Sequence, residues 1–184
     1  MVEHWHDGDE AALHALCAHR GIATDYHDVW GHHTLVARDA LLALLREFDP
    51  AIDTPASLGA ALARARDADW DQAIAPVVAL REGTDHWQVR LRLPERFETL
   101  HWRLLDEQEG VLHEGRVDVQ ALAPVACTER AGVRWCERQL PMQLPLAAGY
   151  YRLEVEAAED DGPAQALVVC APARCYRLPA LRDG

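Results

Sequence analysis

With 184 residues, 49% of them apolar, the chain can form one ordinary domain or a small domain with a helical appendage, and wholesale disorder is excluded. A formal charge of −12 is spread along it: 12 acids against 5 arginines over residues 1–70 (−7), and 18 against 13 over residues 71–184 (−5). Such a surface repels a phosphate backbone, which excludes nucleic acid as a partner, while a neutral sugar is not repelled. All 18 basic residues are arginine, so the lysine of a phosphate loop, a Schiff base or a kinase is absent.

Residues 9–70 read as helices. Asp7 or Asp9 can cap the first, Leu13, Leu16, Cys17 and Arg20 share a face, and Gly21 stops it with Ile22 closing the end. A second helix is expected from Arg38 to Phe48, with Leu41, Leu44, Leu45 and Phe48 as its stripe and Asp49-Pro50 as its end. A third starts at Thr54 (cap) and Pro55, with Leu58, Leu62 and Ala65 inward. Helices this short are marginal alone and must pack on one another or on something larger.

After Trp70 the period changes from helical to two. Trp87, Val89, Leu91 and Leu93 alternate with polar residues, as do Leu100, Trp102 and Leu104, and Tyr151, Leu153 and Val155. Val117 with Val119, Val133 with Trp135, and Leu167 with Val169 add shorter strands. Turn signals at Glu82-Gly83, Glu109-Gly110, Ala131-Gly132 and Asp161-Gly162-Pro163 separate them. The expectation is an α+β chain: a helical N-terminal segment (1–72), an antiparallel immunoglobulin-like β-sandwich (73–173) and a linker (174–184).

Chemistry is sparsely supplied. Ser57 is the only serine, lies in the third helix and lacks a G-x-S-x-G setting, and no glycine spacing suits a dinucleotide loop. His4, His6 and Asp7 are close and His32-His33 are adjacent, but no Cys/His set has zinc spacing. The acids Glu107, Glu109 and Glu159-Asp160-Asp161 fall in turns, where water denies them the environment of a glycosidase pair. Trp87, Trp102 and Trp135 are in phase with core residues; Trp5, Trp30 and Trp70 lie in or near loops. The five cysteines, Cys17, Cys127, Cys136, Cys170 and Cys175, read as free thiols in a reducing cytoplasm. Met1 to Asp7 has no apolar segment of a signal peptide, and no apolar run is long enough to span a membrane. The site residues expected from sequence are therefore none: no catalytic group, no cofactor and no metal. The Ala- and Arg-rich usage points to a GC-rich bacterial source.

Three motifs in register go further. Gly21-Ile-Ala-Thr-Asp-Tyr26-His-Asp28-Val-Trp-Gly31, followed by Leu44-Leu45, resembles the opening of the larger bacterial 4-α-glucanotransferases (amylomaltases, or disproportionating enzymes). Leu140-Pro141-Met-Gln-Leu144-Pro145, then Gly149-Tyr150 and Leu153, is similar to that family's Leu-Pro-x-x-Leu-Pro-x-Gly-Tyr-His-x-Leu, with two residues inserted and Tyr151 in place of histidine. Val168 to Tyr176 resembles its Val-Ala-Pro-x-x-Cys-Tyr, with an extra Cys170, and Ala37 stands where a serine would cap the second helix. The resemblance covers residues 12–181 and implies that catalysis, a retaining transfer of α-1,4-glucan segments, belongs to a (β/α)₈ barrel absent from these residues. No catalytic residue is carried over. The partners it implies are that barrel and, for a module that binds sugar, a maltooligosaccharide; a stand-alone carbohydrate-binding or protein-interaction sandwich is the alternative.

Overall fold

The computed structural model describes residues 5–157 and 162–176. The chain divides into two compact units, Met1–Asp71 and Gln72–Gly184. Among the described residues, no helix is long and apolar enough to cross a membrane. Of the expected linker 174–184, residues 177–184 lie outside the described residues, as do His4 and the acidic run 159–161.

In the first unit, α1 spans Asp7–His19. Its N-cap is His6 rather than an aspartate; the Asp9 carboxylate instead accepts from the His6 backbone N–H at 2.9 Å. Gly21, at φ 69°, lets the chain turn back. The Ile22 N–H then donates to the Cys17 carbonyl (2.8 Å) and the Gly21 N–H to that of Ala18 (3.2 Å), a Schellman closure. The helix α2 spans Arg38–Phe48 and α3 spans Leu58–Ala68, the latter preceded by a 3₁₀ turn, Pro55–Ser57. Leu13, Leu16 and Cys17 of α1, Leu41, Leu42 and Leu45 of α2, and Leu58, Ala61 and Ala65 of α3 form one buried cluster with Ile52.

Two expectations fail here. The buried stripe of α2 runs through Leu42, while Leu44 and Phe48 face solvent; the Arg20 guanidinium, itself exposed, lies 5.6 Å from the Phe48 ring. Residues 25–35 are not helical. They form a hairpin, β1 (Asp25–His27) with β2 (His33–Leu35), whose loop is organised by Asp28. That carboxylate accepts from the backbone N–H groups of Trp30 (2.9 Å) and His32 (2.8 Å).

The second unit is the sandwich, built from β3 (Val77–Arg81), β4 (Trp87–Pro94), β5 (Thr99–Leu105), β6 (Val111–Asp118), β7 (Pro124–Arg130), β8 (Val133–Met142), β9 (Gly149–Ala157) and β10 (Ala164–Ala171). One sheet has the order β3-β10-β9-β5-β6 and the other β4-β8-β7. Val89, Leu91, Leu93, Leu140 and Met142 from the smaller sheet meet Leu100, Leu104, Leu153, Val155, Ala166, Val168 and Cys170 from the larger one. That interface between two sheets is the core. The chain is thus α+β, with N-terminal helices followed by a β-sandwich. Pairing is antiparallel except between β3 and β10, which run parallel; these first and last strands are joined by no tight turn and so are free to align.

Three phases differ from the alternation read in sequence. On β10 the inward residues are Ala166, Val168 and Cys170, so Leu167 points out and Val169 is only half-buried. On β8 they are Cys136, Arg138, Leu140 and Met142, which puts Trp135 on the outer face with the Arg130 guanidinium 5.9 Å from its ring. Val119 is buried, but within a 3₁₀ turn (Val119–Ala121) rather than a strand.

Cys127 and Cys136 are not free thiols. They face each other in the β7–β8 register, 4.2 Å apart at Cα, and are joined as a disulfide. Cys17 and Cys170 are buried and free, and Cys175 is exposed.

Candidate functional site

The outward face of the larger sheet carries an ordered array of polar side chains. Register places His101 beside Arg116 and Glu156, and Arg103 beside Glu114 and Glu154, across β6, β5 and β9. Gln165 of β10 lies next to Glu154. A cavity of about 550 Å³ opens over these residues, with Trp102, Gly115 and Pro163 completing its lining.

Glu154 organises this face. It is 7% exposed although it stands in the outward phase of its strand. One oxygen accepts from Arg103 Nη2 at 2.8 Å, and the other accepts from Gln165 Nε2 at 3.2 Å. Arg152 Nε sits 3.2 Å from that second oxygen as an ion-pair partner. A buried carboxylate needs such partners, and here both oxygens are engaged, so Glu154 is held in place. Arg116 Nε donates to His101 Nδ1 at 3.2 Å.

A second cavity, of about 350 Å³, lies on the same face at the end where β5 turns into β6. Its lining includes Glu107, Glu109, Tyr150, Arg152, Gln165 and Leu167. The turn itself is organised by Asp106, whose Oδ1 accepts from the backbone N–H groups of Gln108 (2.9 Å) and Gly110 (2.8 Å). Glu109 sits at φ 65°, and its carboxylate meets Arg152 Nη1 at 3.2 Å. Glu107 accepts a long hydrogen bond from the Tyr150 backbone N–H (3.3 Å). Tyr150 projects outward and is 57% exposed. Tyr151 points the other way and donates its hydroxyl to the Ala147 carbonyl at 2.9 Å. Burial first, then the neighbouring Cys170, Glu107 and Glu82, push its phenol up.

The residues singled out in the sequence are dispersed. Ser57 ends the 3₁₀ turn before α3 and donates its hydroxyl to the Thr54 carbonyl at 2.7 Å. His32 and His33 each meet an aspartate of the hairpin: Nδ1 to Asp28 Oδ2 at 3.2 Å, and Nε2 to Asp25 Oδ2 at 3.1 Å. Among the described residues, no group of three or more His, Cys, Asp or Glu side chains suits a metal ion. Trp87 is buried and donates to the Leu144 carbonyl at 3.0 Å; Trp30, at the hairpin tip, is 79% exposed. The cluster around Glu154 was not foreseen. Its signal in sequence was the run of polar residues on one phase of β5 and β9, which reads as an ordinary wet face until neighbouring strands are aligned.

Comparison with known proteins places this architecture. A sequence profile described as "MalQ N-terminal beta sandwich domain" matches residues 73–172. No curated protein sequence matches the chain. The fold is similar to the crystal structure of amylomaltase from Corynebacterium glutamicum, with a TM-score of 0.66 and 23% identity over 90% of this chain. That match spans 23% of the length of the Corynebacterium protein. CopC from Methylosinus trichosporium OB3b matches with a TM-score of 0.35 and 14% identity, covering 56% of this chain and 91% of its own.

Proposed function

Because the chain belongs to the MalQ N-terminal beta sandwich family, we propose that it is the non-catalytic N-terminal region of a 4-α-glucanotransferase. The whole enzyme transfers α-1,4-glucan segments between maltooligosaccharides by a retaining double displacement on a (β/α)₈ barrel. This region packs on that barrel, in the cytoplasm of a bacterium, and contributes no reacting group.

The observation that carries this reading is the match of residues 73–172 to the MalQ N-terminal beta sandwich domain, and the polar cluster on the larger sheet is in keeping with it. In that cluster Glu154 has both oxygens engaged by Arg103, Gln165 and Arg152. A retaining transferase needs a free carboxylate nucleophile and a second, protonated carboxyl beside it. An anchored carboxylate in a lattice of guanidinium and amide groups supplies rigidity instead.

The test is the gene. Sequencing beyond the codon for Gly184 is expected to reveal an open frame long enough for a (β/α)₈ barrel, roughly 250 residues or more. A stop codon there, with no barrel-coding frame in the same transcript, contradicts the reading.

A further inference from the structure

The smaller cavity has features that stability alone does not explain. Glu109 occupies the left-handed region (φ 65°) in a hairpin turn where glycine or asparagine is the usual occupant, and a non-glycine residue is strained there. The return is an ion pair with Arg152 in which the carboxylate is 73% exposed, an interaction that contributes little to stability. A register shift between Leu104 and Leu105 bends the strand feeding this turn. The Asp106 carboxylate locks the loop, and a Cβ at Gly110 would come within 2.9 Å of it. Turn, bulge and strain together hold Glu107 and Glu109 over the outward side of β9.

The groups so gathered have a definite chemistry. Tyr150 offers an exposed aromatic ring, Arg152 and Glu109 a fixed donor–acceptor pair, and Gln165 an amide, all lining one cavity of about 350 Å³. Asp106, Glu107 and Glu109 against Arg152 leave the lining at −2, which repels an anion. An uncharged ligand with one apolar face and a rim of hydroxyls is complementary to an aromatic plate bordered by planar polar groups, and a pyranose is such a ligand.

We propose that Tyr150, Arg152, Gln165 and Glu109 form a weak, non-catalytic binding site for a short stretch of α-1,4-glucan. The pyranose class follows from the cavity; the α-1,4 linkage rests on the glucanotransferase reading given above. A site of this kind holds a long glucan on the enzyme by a second attachment point, which raises its local concentration near a distant active site.

The test uses the 184-residue chain and maltoheptaose, with binding measured by saturation-transfer NMR and calorimetry and folding checked by thermal melting. Millimolar binding is expected. Tyr150→Ala is expected to weaken it roughly tenfold or more with the fold intact, and Tyr150→Phe to keep it. Glu109→Gly separates function from structure: it relieves the left-handed strain, so the melting temperature holds or rises while sugar binding falls. Absence of saturation transfer at tens of millimolar maltoheptaose overturns the proposal, as does undiminished binding by a folded Tyr150→Ala protein. Cellohexaose binding as tight as maltoheptaose overturns the assigned linkage, whereas the glucanotransferase reading stands or falls separately on the reading frame beyond Gly184.

Discussion

Gly115 lies in β6 directly opposite Trp102 of β5, and the indole occupies the space a side chain would need. A Cβ built on Gly115 meets Trp102 Cε2 and Cζ2 at 2.8 Å and Nε1 at 2.9 Å, where ordinary contact begins at 3.4 Å. The ring must therefore retreat by about 0.6 Å, the difference between those contacts. It cannot do so freely, because Trp102 is packed against the sandwich core. Overpacking of this kind costs about 1–3 kcal/mol. Gly115 does not have a positive φ, so alanine also removes unfolded-state entropy and returns about 0.4–1 kcal/mol. The net expectation for Gly115→Ala is destabilisation by about 1–2 kcal/mol. Urea denaturation followed by tryptophan fluorescence measures it, and a cycle with Trp102→Leu isolates the cause. In the Trp102→Leu background the alanine is expected to cost nothing or to stabilise. An unchanged midpoint in the single variant, or an equal loss in both backgrounds, refutes the steric argument.

The remaining expectations concern titration and thiols. A hydrogen bond from Arg64 Nη2 (2.6 Å), then one from the Ala51 N–H, holds the Asp49 carboxyl below its ordinary range. A depressed folded-state pKa contributes stability that is present above the unfolded pKa and lost as pH falls through the folded one. NMR titration should therefore give Asp49 a low midpoint, moved upward by Arg64→Gln; an unmoved midpoint contradicts the assignment. Under non-reducing conditions Cys175 is expected to react quickly with a thiol reagent. Cys17 and Cys170, whose thiols burial pushes up, should react only on unfolding, for three thiols in all before reduction and five after it. Five reactive thiols in the unreduced, unfolded protein would show that Cys127 and Cys136 are not joined. Reducing that pair, which closes a loop of sequence separation 9, is expected to lower stability by about 2–3 kcal/mol, read from the shift in the denaturation midpoint.

What could be read in advance depended on how local its cause was. The C-terminal end of α2 and the stop of α1 follow from Asp49-Pro50 and Gly21-Ile22, residues that act within one turn of themselves. The alternation of β4 was legible because one of its faces is buried and the other meets water. The hairpin at residues 25–35 escaped notice because its three-residue strands are nearly all exposed and carry no alternation. The phases of β8 and β10 are not legible in this way, because Trp135, Leu167 and Val169 are large and apolar yet point outward, and size alone does not say which face is inside. The disulfide and the Glu154 cluster are matters of cross-strand register: Cys127 opposite Cys136, and Arg103 opposite Glu154. Register is set by the assembled sheet and not by any one segment. The strain at Glu109 was likewise invisible, since Glu-Gly in a turn usually assigns the left-handed position to the glycine.

We propose that the chain supports a catalytic barrel without performing chemistry itself. The most direct measurement is glucose release from maltotriose by the purified 184-residue chain, set beside the full polypeptide encoded by its gene. No release above the enzyme-free background is expected from the chain, and sustained release from the full polypeptide. Turnover by the 184 residues alone, in a preparation free of contaminating enzyme, would contradict it.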